Sequence, residues 1–350
     1  MKKILLSLFA LCAASSLWAV KFQSGLLYYN TLAGDSTVEV TYKTTAVNYS
    51  DLTAVTIPET VTYSGKTYTV VAIGDKAFDN YPYGYTGSDQ NTSLKLINIP
   101  KTVKTIGTYA FDYCTALTTI NFLGDGLESI GADAFRGCSA LKSINFPSTL
   151  KTIGNYAFYN SALAGDVIIP DNVTSIGSET FYSTDMTTLS IGNAVTSIGV
   201  SAFASCTSLK SVIVGSAVAT IGSSAFSSCT NLTSVTLGNS VATIGSTAFS
   251  SCTSLPSITL PKSVKTIDDG AFAGCSKLTT IYLKSATPPY ITSTTILPSS
   301  AKTFYVPCGA AETYFISDWV NFTTNFQEEE CIKKYTIYVS QDCTSSMVEE

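Results

Sequence analysis

In the stretch LTSVTLGNSVATIGSTAFSSC, Leu232 to Cys252, the apolar residues Val235 and Leu237 alternate with Thr236. That is the pattern of a strand with one buried face. Gly238 and Asn239 turn the chain, and Val241 and Ile244 make a second short inward-facing edge. Gly245 is expected to supply a backbone conformation closed to most residues, and Ala248-Phe249 to sit on a brief helical or 3₁₀ turn. Leu255 then opens the same pattern again. The Ile-Gly…Ala-Phe signature puts phenylalanines at Phe78, Phe111, Phe135, Phe158, Phe181, Phe203, Phe226, Phe249 and Phe272, with separations of 33, 24, 23, 23, 22, 23, 23 and 23. Nine copies at a period near 23 mark a repeat architecture. In the ninth copy Asp268 replaces the glycine; aspartate tolerates left-handed backbone, which supports a backbone role for the position.

One unit cannot fold alone. Burying six large apolar side chains does not offset the entropy of ordering some 23 residues. Stacked units bury both faces of each layer, so the expected fold is a repeat solenoid. It is leucine-rich-repeat-like, with a continuous parallel β-sheet, short helical or 3₁₀ turns and caps at both ends. Nine strands at ~4.8 Å give a rod roughly 40 Å long.

Units such as LKSINFPSTLKTIGNYAF (141–158) and LTSVTLGNSVATIGSTAFSSC resemble the BspA-like leucine-rich repeats of bacterial surface and secreted proteins. The resemblance covers about residues 52 to 330 and includes the closing segment TIYLKSATPPY…FYVPCGAAETYF. It implies the solenoid fold. Members of the family are mostly described as adhesins or surface antigens that bind host proteins, so the resemblance also implies a binding role; fold alone identifies no ligand.

Composition agrees with binding and not with chemistry. The chain has 350 residues, 45% hydrophobic and 13% charged, with net charge −5 and no histidine. It is too apolar for disorder and too acidic for electrostatic nucleic-acid binding. Without histidine there is no serine–histidine or cysteine–histidine catalysis. Ser-x-x-Lys at Ser139–Lys142 and Ser148–Lys151 has no accompanying Ser-Asp-Asn or Lys-Thr-Gly, and Asp268-Asp269 reads as a polar turn. No cofactor, metal or catalytic residue is expected.

Lys2-Lys3, the apolar run Ile4–Ala14 and Ala19 lay out a secretory signal peptide over 1–19. The run is about half of what a bilayer crossing needs. Leu11 is too bulky before Cys12 for a lipoprotein signal. Export to the cell surface or medium is expected, with the periplasm as the alternative. The remaining layout is an N-terminal β cap (20–60), the solenoid (61–285), a C-terminal cap (286–330) sealed by Tyr314 and Trp319, and a tail (331–350). Two rivals to surface binding are a periplasmic structural repeat protein and the binding portion of a larger enzyme.

Six cysteines, Cys114, Cys138, Cys206, Cys229, Cys252 and Cys275, each lie three residues after a repeat phenylalanine. In one column of a stack their side chains run side by side, so buried free thiols are expected instead of disulfides. Cys308, Cys331 and Cys343 fall outside the column, with Cys308–Cys331 the favoured pair. Outward strand positions make a flat, nearly uncharged face. It runs Asn98, Asn121, Asn145, Ile168, Ser190, Ile213, Thr236, Thr259, Tyr282, and serves either as neutral scaffold or as a contact surface for a host or surface protein or a glycan. The ten-residue excess between Phe78 and Phe111 emerges as a loop whose Tyr83 and Tyr85 offer rigid contact area. Tyr83, Tyr85, Asn98, Asn121 and Asn145 are therefore the candidate ligand contacts.

Overall fold

The computed structural model describes residues 19–33, 36–43, 49–79 and 90–329, together with the backbone of strands Tyr335–Val339 and Ser345–Glu349. Residues 1–18, nearly all of the expected signal peptide 1–19, and the loop residues Tyr83 and Tyr85 lie outside the described residues.

Each coil has two strand legs. The second leg is a two-residue strand such as Thr220–Ile221 or Thr243–Ile244, paired in parallel with its neighbours so that threonine faces threonine and isoleucine faces isoleucine. This ladder is continuous from Thr105–Ile106 to Tyr290–Ile291. At its N-terminal end it runs on through Lys66–Ile73 into Thr37–Thr41, Leu27–Thr31 and Lys21–Ser24, which cover the first coil. The first leg, which reads as the stronger strand, does not form one sheet. It is broken into blocks of three strands (Ala54–Thr56 to Thr119–Leu123), four (Ala164–Ile169 to Ser234–Thr236) and four (Ser257–Leu260 to Phe326–Glu328).

The break at Pro256 has a local cause. Pro256 occupies the position from which Thr233 donates to Lys210 O, and proline has no N–H to continue the bond. In the other break Phe146 stands where the preceding coil carries Phe122 and the following coils carry Ile169, Ile191 and Val214. Its ring lies edge-on to both Phe158 and Phe181, at 5.6 and 6.4 Å. The backbone from 142 to 147 leaves the strand ladder there.

The core is a single cluster running the length of the rod. Its spine is the phenylalanine column, in which successive rings from Phe78 to Phe272 stack with centroids 4.9–5.4 Å apart and planes within 12°. Tyr49 continues this spine at the N-terminal end, 5.1 Å from Phe78, its hydroxyl donating to Thr41 O and accepting from Tyr28 N. At the other end Trp319 donates Nε1–H to Pro289 O and Tyr314 donates its hydroxyl to Ser285 O. Both are buried. The α-helix Ala311–Phe315 and the 3₁₀ helix Asp318–Asn321 belong to this cap.

The segment around each phenylalanine is not helical. Ser224, Phe226 and Ser228 donate their N–H to Ser246, Ala248 and Ser250 of the next coil, at 2.7–2.8 Å, while the alternate residues Ala225, Ser227 and Cys229 close turns within their own coil. Pointing every second N–H along the rod requires alternating backbone handedness, and Ser224 (φ 57°) and Ser228 (φ 60°) are left-handed. The glycine is not. At Gly245 a Cβ would lie 2.8 Å from Ser223 N and 2.9 Å from Gly222 C. The position is glycine because the backbones of successive coils touch there, so the expected conformational role falls instead on the residues two to either side of the phenylalanines, mostly serine and tyrosine but also Lys76, Asp133, Asn160, Glu179, Thr247 and the glycines Gly137, Gly270 and Gly274.

Candidate functional site

The first-leg face brings two of the three candidate asparagines together. Asn121 Nδ2 donates to Asn98 Oδ1 at 2.8 Å, and Asn98 Nδ2 donates to Thr56 Oγ1 at 2.8 Å, a side-chain ladder perpendicular to the strands. Asn145 sits in the Phe146 break and lines a groove of about 660 Å³ instead. That groove continues along Asp166, Ile168, Ser190 and Ile213. Ile168 and Ile213 are 66% and 56% exposed, unusual for isoleucine on an otherwise Ser/Thr face. A second groove opens at the Pro256 break, lined by Val235, Leu237, Thr259, Lys262 and Lys284.

The rim of the face is polar and ordered from coil to coil. Asp125 accepts from Ser148 N, Asp171 from Asn193 N, and Asn193 Oδ1 from Ser216 N, at 3.3, 2.8 and 3.1 Å. Thr188 donates its hydroxyl to Asp166 at 2.6 Å. These bonds preorient carboxylates and amides toward solvent without closing the groove.

The six column cysteines are buried and free. Each thiol donates to the carbonyl oxygen of the phenylalanine in the preceding coil: Cys114 to Phe78 (3.6 Å), Cys138 to Phe111 (3.3 Å), Cys206 to Phe181 (3.2 Å), Cys229 to Phe203 (3.3 Å), Cys252 to Phe226 (3.2 Å) and Cys275 to Phe249 (3.0 Å). Burial raises the thiols of Cys114, Cys138, Cys206 and Cys229, Cys206 to about 11, whereas the hydrogen bond between Cys252 and Cys275 raises the first and lowers the second; all six are buried away from a reagent. Cys308 is disulfide-bonded; Cys331 and Cys343 lie outside the described residues.

Sequence reasoning missed a cluster on the turn edge. Arg136, the chain's one arginine, grips Asp112 through Nε and Nη2 at 2.9 and 2.7 Å and meets Asp133 at 2.8 Å. Its guanidinium lies 5.2 and 5.3 Å from the rings of Tyr109 and Tyr113. Desolvation pushes Asp112 up to about 6 against the opposing pull of Arg136. Further along this edge Tyr159 and Tyr182 stack at 4.9 Å. The signal was present, since later coils hold Ser and Ala at these positions, but only the turn geometry shows that they share an edge.

Among the described residues no helix is long and apolar enough to cross a membrane. The family described as the BspA type leucine rich repeat region matches residues 88–210 and 196–314, in six copies. Similar solved structures include a leucine-rich repeat protein from Bacteroides ovatus, 26% identical over 88% of this chain and 100% of that one, with a TM-score of 0.48. A leucine rich cell surface protein from Faecalibacterium prausnitzii is 23% identical over 89% of this chain and 96% of that one, with a TM-score of 0.43. The leucine rich repeat protein of T. pallidum is 25% identical over 74% and 91%, with a TM-score of 0.45. No curated protein matches the chain.

Proposed function

Because the chain belongs to the BspA-type leucine-rich repeat family, whose members are typically cell-surface proteins, we propose that it is an exported surface protein that works by binding, through the first-leg face of the solenoid. The observation that carries this reading is the pair of exposed isoleucines, Ile168 and Ile213, set in a groove among ordered hydrogen-bonding groups. Apolar anchors surrounded by a polar rim are the composition of recognition sites. The ladder Asn98–Asn121 extends the hydrogen-bonding surface toward the N-terminus, and Asn145 lines the groove itself. Tyr83 and Tyr85 are proposed to add contact area.

The test is a solid-phase screen of the purified protein against surface and matrix proteins and glycans. The hits are then repeated with Ile168→Glu/Ile213→Glu, with Asn98→Ala/Asn121→Ala/Asn145→Ala and with Tyr83→Ala/Tyr85→Ala. Thr220→Glu on the second-leg sheet is the control. Loss of binding in the face variants with Thr220→Glu unaffected is the expected result. Equal binding by all variants would rule this surface out. Protease shaving of intact cells tests export, and release of peptides from residues 52–330 is expected.

A further inference from the structure

The turn edge that carries the phenylalanines differs between the two halves of the rod. In the coils of Phe203 to Phe272 the residues two before and one after the phenylalanine are all serine, threonine, alanine or glycine, as at Ser201 and Ala204. In the coils of Phe111 to Phe181 the same places hold four tyrosines, three carboxylates and the chain's one arginine. The phenylalanine stack is alike in both halves, with centroids 5.1–5.2 Å apart from Phe111 to Phe181 and 5.2–5.4 Å apart from Phe203 to Phe272. Packing therefore asks for nothing larger than serine at these places. Tyr156, Tyr159, Glu179 and Tyr182 are half-buried, so each keeps part of its side chain in solvent.

One pairing occurs twice along this edge. Tyr109, two residues before its phenylalanine, is followed one coil later by Asp133 at the same place, and Tyr156 is followed in the same way by Glu179. The Tyr156 hydroxyl donates to Glu179 Oε1 at 3.2 Å. In both pairs the carboxylate raises the phenol above its ordinary value, Asp133 acting on Tyr109 and Glu179 on Tyr156. In the first pair the chain supplies its own cation. Arg136 meets Asp133 at 2.8 Å and lies 5.2 Å from the Tyr109 ring, so a carboxylate and a ring together hold a guanidinium. In the second pair Tyr182 stands at the place of Arg136. Its ring stacks on Tyr159 at 4.9 Å, and Tyr159 lies 5.8 Å from Tyr156. Among the described residues Glu179 is ion-paired with no lysine or arginine; its side-chain partner is Tyr156.

We infer that Tyr156, Tyr159, Glu179 and Tyr182 form a second contact surface, separate from the first-leg face, which receives an arginine from a basic segment of a partner protein. Charge complementarity favours this occupant. Three carboxylates stand against the single Arg136 on this half of the edge, whereas the matching places of the last four coils carry no charge. Glu179 offers an acceptor that fits the guanidinium fork. An exposed ion pair alone contributes little, and the adjoining rings supply the rest. They give rigid contact area with polar tips, at low entropic cost, and make the surface selective for arginine over lysine. Tyrosine and arginine are also the side chains that most often anchor protein contacts.

Fluorescence anisotropy of a fluorescein-labelled peptide of Arg-Gly-Ser repeats, titrated with the purified protein, tests this beside the matching Lys-Gly-Ser peptide. The arginine peptide is expected to bind, and the lysine peptide to bind more weakly. Tyr159→Ala/Tyr182→Ser and Glu179→Ser introduce residue types that later coils hold at these places, so the stack should be retained, as circular dichroism checks. Each should weaken binding of the arginine peptide roughly 10-fold. Tyr159→Leu/Tyr182→Leu keeps charge and bulk but removes the rings, and should weaken binding similarly. Glu312→Gln, exposed on the C-terminal cap, changes the net charge as Glu179→Ser does and should leave binding unaltered. No binding of the arginine peptide overturns the inference. So does equal binding of the two peptides, full binding by the leucine variant, or equal loss in Glu312→Gln and Glu179→Ser, each of which would show attraction by net charge alone.

Discussion

Replacing Ser161 with cysteine should stabilise the protein. Ser161 sits in the thiol column, and its Oγ is buried with no hydrogen-bond partner. The cysteines in the same column reach the carbonyl of the preceding coil at 3.0–3.6 Å. A carbon–sulfur bond is longer than a carbon–oxygen bond, and the structure shows the consequence twice. Ser161 reaches nothing, and Thr184, also in the column, turns its hydroxyl to the nearer carbonyl of Phe181 in its own coil, at 3.1 Å. An unpaired buried hydroxyl costs about 1–3 kcal/mol. Ser161→Cys removes that cost and offers a donor to Phe135 O, so a gain of about 1–3 kcal/mol is expected. The converse change, Cys229→Ser, should lose a similar amount, more than the conservative look of the substitution suggests. Urea unfolding followed by circular dichroism reads both as shifts in midpoint at constant slope. A wild-type midpoint for Cys229→Ser, or a lower one for Ser161→Cys, would show that thiol reach is not why cysteine occupies the column.

The six column thiols should resist a thiol reagent in the native protein and all react once it is unfolded; rapid native labelling would contradict their burial. Gly222→Ala should destabilise the protein by about 1–3 kcal/mol, because its Cβ would lie 2.7 Å from Ile198 O. Ser228→Gly, at φ 60°, should be neutral or stabilising, and the opposite order in a melting experiment would return the backbone role to the glycine. Asp112, at about 6, holds its proton to higher pH in the folded protein than in the unfolded chain. It therefore contributes stability at low pH that is lost as pH rises through about 6. The melting temperature of wild type minus that of Asp112→Asn should fall between pH 4 and 7, and a flat difference would refute the raised value.

The period, the inward columns and the sealing aromatics Tyr314 and Trp319 were legible in the sequence. Burial imposes the same residue type at the same phase of every coil, so the repetition of Val235, Ile244, Phe249 and Cys252 is itself the record of the stack. Register followed with it, because a fixed period sets Ile221 beside Ile244. What the sequence could not display is how closely successive backbones approach. Gly245 read as a residue needed for its own torsion angles, whereas it is glycine because the preceding coil lies within 3 Å of where its Cβ would be. Cysteine read as a buried free thiol packing the turn, and the carbonyl one coil away to which that thiol donates could not be seen. The breaks at Phe146 and Pro256, which open the grooves on the first-leg face, likewise show only in the pairing of the folded strands. Periodicity records which side chains point inward; contacts between coils depend on distances along the rod axis, and those exist only once the coils are stacked.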